Sequence, residues 1–233
     1  MTSTLRPAAE RGRADFGWLD SRHTFGFGEY HDPAHMGFRA LRVINEDRVA
    51  PGRGFGTHPH HDMEIFTYVL SGALEHKDSM GHGRVLKPGE IQLMSAGRGV
   101  THSEFNPSRG EPLHLLQVWI VPDQRGLVPS YTEWHPDERR ARDAKVLVIS
   151  PDGREASARI HQQAFVYRLR LAPGAIVEHE LAPGRGAWIQ VARGSLQFDG
   201  LTLGPGDGIS CESAGALSMR ALADAEALLF DLA

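Results

Sequence analysis

The chain has 233 residues, of which 41% are hydrophobic and 23% are charged, and its formal net charge is −4 at pH 7. It is long enough for one large or two small globular domains, and its weak negative charge argues against direct binding of nucleic acid or acidic membranes. No segment is apolar and long enough to span a membrane, the charged N-terminus is unlike a signal peptide, and the single Cys211 suits a reducing compartment, so we expect a cytoplasmic protein.

Short β-type runs, separated by glycine and proline, follow one another along the chain. Long amphipathic periods typical of helices are nearly absent, and 26 glycines and 14 prolines mark the joints. This spacing indicates an all-β sandwich or barrel and not a parallel α/β sheet. The predicted strands are, in chain order, 39–45, 64–70, 90–94, 113–121, 146–150, 164–171 and 187–191.

One polar stretch interrupts this series of strands. It covers 137–145, reads DERRARDAK and follows a segment rich in proline. Its composition tolerates a helix but offers no apolar face to a core. We therefore predict an N-terminal domain at 1–122, a linker at 123–145 and a C-terminal domain at 146–233.

The two halves share a weak internal repeat made of turn sequences. Each turn carries a glycine or proline where a tight turn needs a positive or fixed φ. Four such turns recur in the same order, so we predict that one barrel is used twice. The turns are 50–52, 71–75, 86–90 and 95–97 in the first half, and 172–174, 193–197, 203–207 and 213–215 in the second.

Two pairs of potential metal ligands lie in the first half. His58 and His60 are two residues apart at the start of a predicted strand, and His102 and Glu104 have the same spacing in another extended run. Side chains at positions i and i+2 of a strand point to the same face. Three imidazoles and a carboxylate suit a first-row divalent ion and leave coordination positions open for substrate or oxygen.

The second half keeps the turns but has lost these donors. It offers only His179 in the corresponding region, with Leu181 two residues later, and no histidine follows the turn at 213–215. Histidines that only built the barrel would be expected in both copies. Their restriction to the first half indicates a metal site there and a C-terminal domain without metal ligands.

The motifs resemble those of the cupin superfamily and, more specifically, of the pirin family. The segment from Gly52 through His58 and His60 to Glu64 is similar to the first cupin motif, and the segment from Gly89 to His102 is similar to the second. The strings GFGTHPHHDMEIFTYVLSG and GEIQLMSAGRGVTHSEFNP closely resemble bacterial pirin-like proteins. This resemblance is strong over most of 20–122 and extends to the C-terminal half only in outline.

The resemblance implies two cupin barrels, of the double-stranded β-helix or jelly-roll type, in tandem. It also implies that the N-terminal barrel binds one divalent metal ion through His58, His60, His102 and Glu104. Iron is the metal usually assigned to pirins, and zinc, copper, nickel, manganese or cobalt would suit the same ligands.

A third acidic residue, Glu64, competes with Glu104 for the role of carboxylate ligand. Glu64 fits the general cupin motif, and its even number places it on the same strand face as His58 and His60. The pirin pattern assigns the role to Glu104, and the alternation of His102 and Glu104 mirrors the first pair. We follow the pirin pattern and expect Glu64 to contact a neighbouring polar side chain.

Some pirins are similar in activity to quercetin 2,3-dioxygenases, which implies a small aromatic substrate, a flavonol, that reacts with O2 and releases carbon monoxide. The metal would lower the pKa of the flavonol's 3-hydroxyl, and Glu104 would accept the proton if it loosens as a metal ligand. Two alternatives remain open. The chain could be a metal-dependent regulatory protein without turnover and with an unknown protein partner, or another cupin enzyme acting on a different small molecule.

Other residues have weaker patterns. We expect His61 to be solvated, His114 to be a hydrogen-bonded interior histidine, and His76 and His82 to lie in a polar surface loop, although both could line the mouth of a pocket. Five apolar residues are candidate pocket walls, although ordinary barrel core is the stronger expectation for each one alone: Phe25, Phe27, Phe55, Phe66 and Met94.

Overall fold

The structure, a computed structural model, describes residues 2–137 and 143–233. Nearly all of its regular structure is β-strand, which confirms the predicted fold class. Residues 138–142 of the polar stretch lie outside the described residues. Two short 3₁₀ turns, at Ala8–Glu10 and Arg154–Ala156, are the helical elements of the described chain, and neither could cross a membrane.

The strands of the first half are β1 (Ser3–Arg6), β2 (Gly12–Asp15), β3 (Leu19–His23), β4 (Leu41–Val49), β5 (Gly54–His60), β6 (Glu64–Ser71), β7 (Leu74–Asp78), β8 (Gly83–Leu86), β9 (Ile91–Ser95), β10 (Val100–Phe105), β11 (Leu113–Ile120) and β12 (Ser130–Trp134). Those of the second half are β13 (Lys145–Ser150), β14 (Ala158–Arg159), β15 (Ala164–Leu171), β16 (Ile176–Leu181), β17 (Gly186–Arg193), β18 (Leu196–Phe198), β19 (Leu201–Leu203), β20 (Gly208–Cys211), β21 (Gly215–Ala221) and β22 (Ala225–Leu232). Each of the seven predicted strands overlaps one of these.

The described chain divides into two compact units. The N-terminal unit contains 12–136 and 158–162, and the C-terminal unit contains 2–11, 143–157 and 163–233. Residues 2–11 thus group with the second half, although the sequence prediction placed them in the first. The segment predicted as a linker contains β12, whose Tyr131 pairs with Met94 of β9 in the N-terminal unit.

Two antiparallel sheets form the N-terminal unit. Strands β12, β9, β6, β11, β4, β3 and β2 lie side by side in that order, and β5, β10, β7 and β8 form the second sheet. A cluster of buried apolar residues draws on both sheets, so the sheets pack face to face around it. Its members are Leu19, Val49, Val69, Leu74, Leu86, Leu113 and Leu115.

The C-terminal unit repeats this arrangement. Strands β1, β20, β17, β22, β15 and β13 lie side by side, and β16, β21, β18 and β19 form the facing sheet. Strand β1 pairs with β20 at the sheet edge, as β12 pairs with β9 in the other unit. In each unit, the edge strand of the larger sheet therefore comes from a segment that lies outside the repeated turns.

The repeated turns have the backbone geometry that their glycines allow. Gly52 and Gly174 have φ values of 67° and 81°, and Gly72 and Gly194 have values of 80° and 68°. An added Cβ on Gly72 would lie 2.6 Å from the carbonyl oxygen of Pro112. The repeat in the sequence therefore corresponds to the same turns in two barrels.

Candidate metal centre and substrate cavity

Three histidines of the N-terminal unit converge between β5 and β10. His58 pairs directly with His102 across these antiparallel strands. The ring centroids of His58 and His102 are 4.5 Å apart, and that of His60 lies 4.8 Å from His58 and 4.9 Å from His102. Their ligand atoms all lie within 4.8 Å of one another.

The protonation of these histidines favours metal binding. The Nδ1 atom of His58 lies 2.7 Å from the carbonyl oxygen of Gly56, which can only accept, so Nδ1 carries a proton and Nε2 is the ring nitrogen left to bind a metal. Burial, with repulsion from the neighbouring imidazoles, lowers the pKa of His60 to about 4 and that of His102 to about 3. Both are therefore neutral at pH 7 and can act as ligands.

His102 provides a test of whether a metal ion fits this site. Its side chain is buried, and neither Nδ1 nor Nε2 has a hydrogen-bond partner among the described residues. Buried polar atoms normally have partners, so an imidazole with two unsatisfied nitrogens needs a further group. A divalent ion shared with His58 and His60 would supply it, and the donor set therefore fits a metal.

Glu104 is buried behind this histidine group and is fixed by neutral donors. Its Oε1 accepts hydrogen bonds from Thr67 at 3.0 Å and from Gln92 at 2.5 Å. Its Oε2 accepts one from Gln117 at 2.6 Å. These contacts hold the carboxylate in one orientation, with an oxygen within 4.8 Å of a ring nitrogen of His102.

Glu64, the competing carboxylate, has other partners. Ser95 donates to its Oε1 at 2.5 Å, and the backbone N–H of His161 donates to its Oε2 at 3.2 Å. Burial raises the pKa of Glu64, and these hydrogen bonds oppose that rise. The structure thus brings Glu104, and not Glu64, into a group of potential ligands with His102.

A cavity of about 710 Å³ adjoins the histidines, and its lining includes His58, His60 and Glu104. Two of the five predicted wall residues, Phe27 and Phe55, line it together with Trp119. The other three are buried, in line with the alternative that they belong to the ordinary barrel core. These core residues are Phe25, Phe66 and Met94.

Comparisons with known proteins agree with this architecture. A family model described as Pirin matches residues 5–120, and one described as Quercetinase C-terminal cupin domain matches residues 147–232. A protein of Escherichia coli strain K12 named quercetin 2,3-dioxygenase is 50% identical over 98% of this chain and 97% of its own length. The chain belongs to the pirin family. The predicted family and its tandem cupin fold are therefore confirmed.

Solved structures of bacterial pirins have the same fold. YhhW from Escherichia coli has a TM-score of 0.96 and 49% identity, covering 100% of this chain and 98% of that one. A second structure, titled as bacterial pirin YhhW in complex with nickel(II), has a TM-score of 0.94 and 48% identity, covering 99% of each chain.

His76 is a potential metal ligand that the sequence analysis placed in a surface loop. It lies on β7, is fully buried, and belongs to a second group of potential ligands with His102 and Glu104. Its Nε2 faces Asp78 at 3.3 Å, and its Nδ1 has no partner among the described residues. The sequence LEHKD held a signal for this, because His76 alternates with the charged Glu75 and Lys77 and so shares its strand face with Leu74.

The other histidines largely follow expectation. The side chain of His61 is 82% exposed, and His114 is hydrogen-bonded to Glu46 at 2.9 Å. His82 is partly exposed, with its ring stacked on Tyr131.

The C-terminal barrel of this pirin has mostly apolar residues at the positions that correspond to the potential metal ligands of the N-terminal barrel. His179 pairs with Leu217 on β16 and β21 as His58 pairs with His102 on β5 and β10. Leu181 and Met219 lie two residues further along β16 and β21, and both belong, with Leu217, to the hydrophobic core. His179 instead contacts Asp231 at 2.9 Å. Among the described residues, the groups of potential metal ligands lie in the N-terminal unit.

Proposed function

We propose that this chain is a metal-dependent dioxygenase of the pirin type, which cleaves quercetin or a related flavonol with O2 and releases carbon monoxide. The observation that carries the proposal is the convergence of three imidazoles beside a cavity with aromatic sides. The name of the Escherichia coli relative supports the reaction class and the flavonol substrate.

The ligands in this proposal are His58, His60, His102 and Glu104. Both Glu104 and His76 are near His102, but Glu104 lines the cavity and His76 does not, so Glu104 is the ligand in contact with the substrate space. Nickel(II) in a solved pirin supports a divalent ion, and iron is our first candidate for the native metal. The cytoplasmic location stays a prediction from the sequence.

A divalent ion held there would act as a Lewis acid and lower the pKa of a coordinated substrate hydroxyl. Glu104 would accept the hydroxyl proton. Its Oε1 already accepts two hydrogen bonds and its Oε2 only one, so Oε2 is the atom that we assign as proton acceptor. Phe27, Phe55 and Trp119 would hold the aromatic rings and exclude water from the reacting centre.

The test is oxygen uptake with carbon monoxide detection, after metal-free protein is reloaded with iron and mixed with quercetin. We expect iron-dependent turnover that is lost in His58→Ala together with stoichiometric metal binding. His61→Ala is the matched control, because His61 follows His60 in sequence but is exposed to solvent. Bound metal without turnover would contradict the proposed activity and favour a regulatory role or another substrate.

A further inference from the structure

One wall of the cavity is polar and lies outside the metal centre. It is built by β3 and β4, where Ser21 and Asp47 are directly paired across the two antiparallel strands. Both side chains line the cavity and are almost completely buried. Next to them, His23 contacts the Asn45 side-chain oxygen at 2.8 Å. The cavity therefore has a polar surface besides the ligands, facing a space with aromatic sides.

Asp47 has fewer hydrogen-bond donors than a buried carboxylate needs. Ser21 donates to its Oδ1 at 2.5 Å, which leaves Oδ2 as an acceptor for a ligand. Burial, with repulsion from Glu104 and Glu46, raises the pKa of Asp47 to about 7. A donor arriving from the cavity would stabilise the charged form, since hydrogen bonds to the charged form lower the pKa of a carboxylate.

Ser21 completes a pair of acceptors. Its hydroxyl hydrogen is directed to Asp47, and its oxygen, which also lies 3.5 Å from Nδ1 of His23, keeps a lone pair for a donor in the cavity. Two neighbouring acceptors match a ligand with two neighbouring donors. An aromatic ring with adjacent hydroxyl groups meets this requirement, because its faces can pack on apolar walls while its edge donates two hydrogen bonds.

We propose that Ser21 and Asp47 form a recognition site for adjacent hydroxyl groups on an aromatic ring of the substrate. This inference rests on the proposed flavonol function and specifies it further. The pair of acceptors would select flavonols whose pendant ring carries two adjacent hydroxyls over flavonols whose pendant ring carries none. Asp47 and Ser21 are then specificity-determining residues and not metal ligands.

The experiment measures equilibrium binding without oxygen, so that no turnover interferes. Nickel-loaded protein is titrated with three flavonols that carry two, one or no hydroxyls on the pendant ring: quercetin, kaempferol and galangin. Quenching of tryptophan fluorescence reports binding, since Trp119 lines the cavity. We expect wild-type protein to bind quercetin about tenfold or more tightly than galangin, as a hydrogen bond to a buried carboxylate would give.

In Asp47→Asn and in Ser21→Ala we expect this preference to fall to within about twofold, while galangin affinity and nickel stoichiometry stay at wild-type values. Glu46→Gln is the matched control. Glu46 is the next residue on the same strand and is also buried, but it contacts His114 and does not line the cavity. It should keep the full preference. Thermal melting of each variant verifies folding.

Two different results would overturn the inference. If Asp47→Asn and Ser21→Ala keep the wild-type preference, or if wild-type protein binds all three flavonols equally, the recognition site is wrong while the proposed function stands. If nickel-loaded wild-type protein binds no flavonol at all, the proposed function fails and the recognition site fails with it.

Discussion

The two carboxylates near the histidines differ in the donors that surround them. Glu104 accepts hydrogen bonds from two amide side chains and one hydroxyl, all of them neutral and buried or half-buried. Glu64 is held by Ser95 and by the backbone of His161. Both are buried, so burial alone does not separate a ligand from a structural acid. Their positions differ, because Glu104 and not Glu64 belongs to a group of potential ligands with His102.

Replacing each carboxylate with its amide tests this assignment. We expect Glu104→Gln to weaken metal binding by about tenfold or more, because a neutral amide oxygen is a poorer ligand than a carboxylate. Glu64→Gln should leave the metal affinity within about twofold, since Glu64 belongs to neither group of potential metal ligands among the described residues. Titration of metal-free protein with chelator-buffered nickel measures both. An equal loss in the two variants would assign the ligand role to Glu64.

Asp47 predicts a dependence of stability on pH in the metal-free protein. Its carboxyl has a pKa of about 7 in the folded chain and near 3.8 in the unfolded chain. The folded state therefore holds the proton more tightly, and the contribution of Asp47 to stability is fully present below pH 3.8 and is lost as the pH rises through 7.

Asp47→Asn removes this dependence. At pH 8 the variant should be more stable than wild-type protein by up to about 4 kcal/mol, and the difference should disappear towards pH 4. Urea unfolding of both proteins across this pH range measures the difference. A constant difference at all pH values would show that Asp47 titrates normally in the folded chain.

At the scale of elements, the turns between strands depend on glycine for two separable reasons. Gly52 and Gly72 both have positive φ, at 67° and 80°. Only Gly72 also approaches another backbone, since its Cβ would lie 2.6 Å from the Pro112 oxygen, whereas nothing lies within 4 Å of a Cβ on Gly52. The turn at Gly52 therefore needs only a positive φ, whereas the turn at Gly72 also needs room for the backbone of Pro112.

Alanine at these two positions should have unequal effects. We expect Gly52→Ala to cost about 1 kcal/mol, from the strained φ alone, and Gly72→Ala to cost about 2 kcal/mol or more, because the strand ends must also move apart. Denaturant unfolding of the metal-free variants measures the costs. Equal losses would mean that the close approach to Pro112 relaxes freely.

At the scale of the whole molecule, each barrel has its own edge strand, and that of the C-terminal barrel comes from the start of the chain. Strand β1 pairs with β20 over four residues, and Leu5 packs against the hydrophobic core of that unit. Asp207 also accepts a hydrogen bond from the backbone of Ala8 at 2.7 Å. The first residues are therefore part of the C-terminal fold.

Deletion of residues 2–7 should destabilise the C-terminal barrel and leave the metal site intact. The deletion exposes the edge of β20 and part of the core around Leu5, so we expect a loss of about 2 kcal/mol or more. Hydrogen exchange of the C-terminal strands should increase, while nickel binding by His58 and its neighbours stays unchanged. Increased exchange confined to β5 and β10 would contradict the placement of β1.

The sequence by itself determined the all-β class, the repeated turns, the family and the two spaced pairs that contain His58, His60, His102 and Glu104. These features depend on local periodicity, on the conformations open to glycine and proline, and on short motifs, all of which are readable along the chain. The lack of a second histidine pair at the corresponding place in the second half was readable in the same way, since Leu181 stands two residues after His179.

Only the tertiary structure decided which residues meet across strands. Alternation shows which strand face a side chain occupies but not what lies opposite, so it could not separate Glu104 from Glu64, bring His76 to His102, or pair Ser21 with Asp47. It also could not place β1 in the C-terminal barrel, because strand pairing joins segments more than 200 residues apart. These contacts depend on the register between strands, which is set by residues far apart in the sequence.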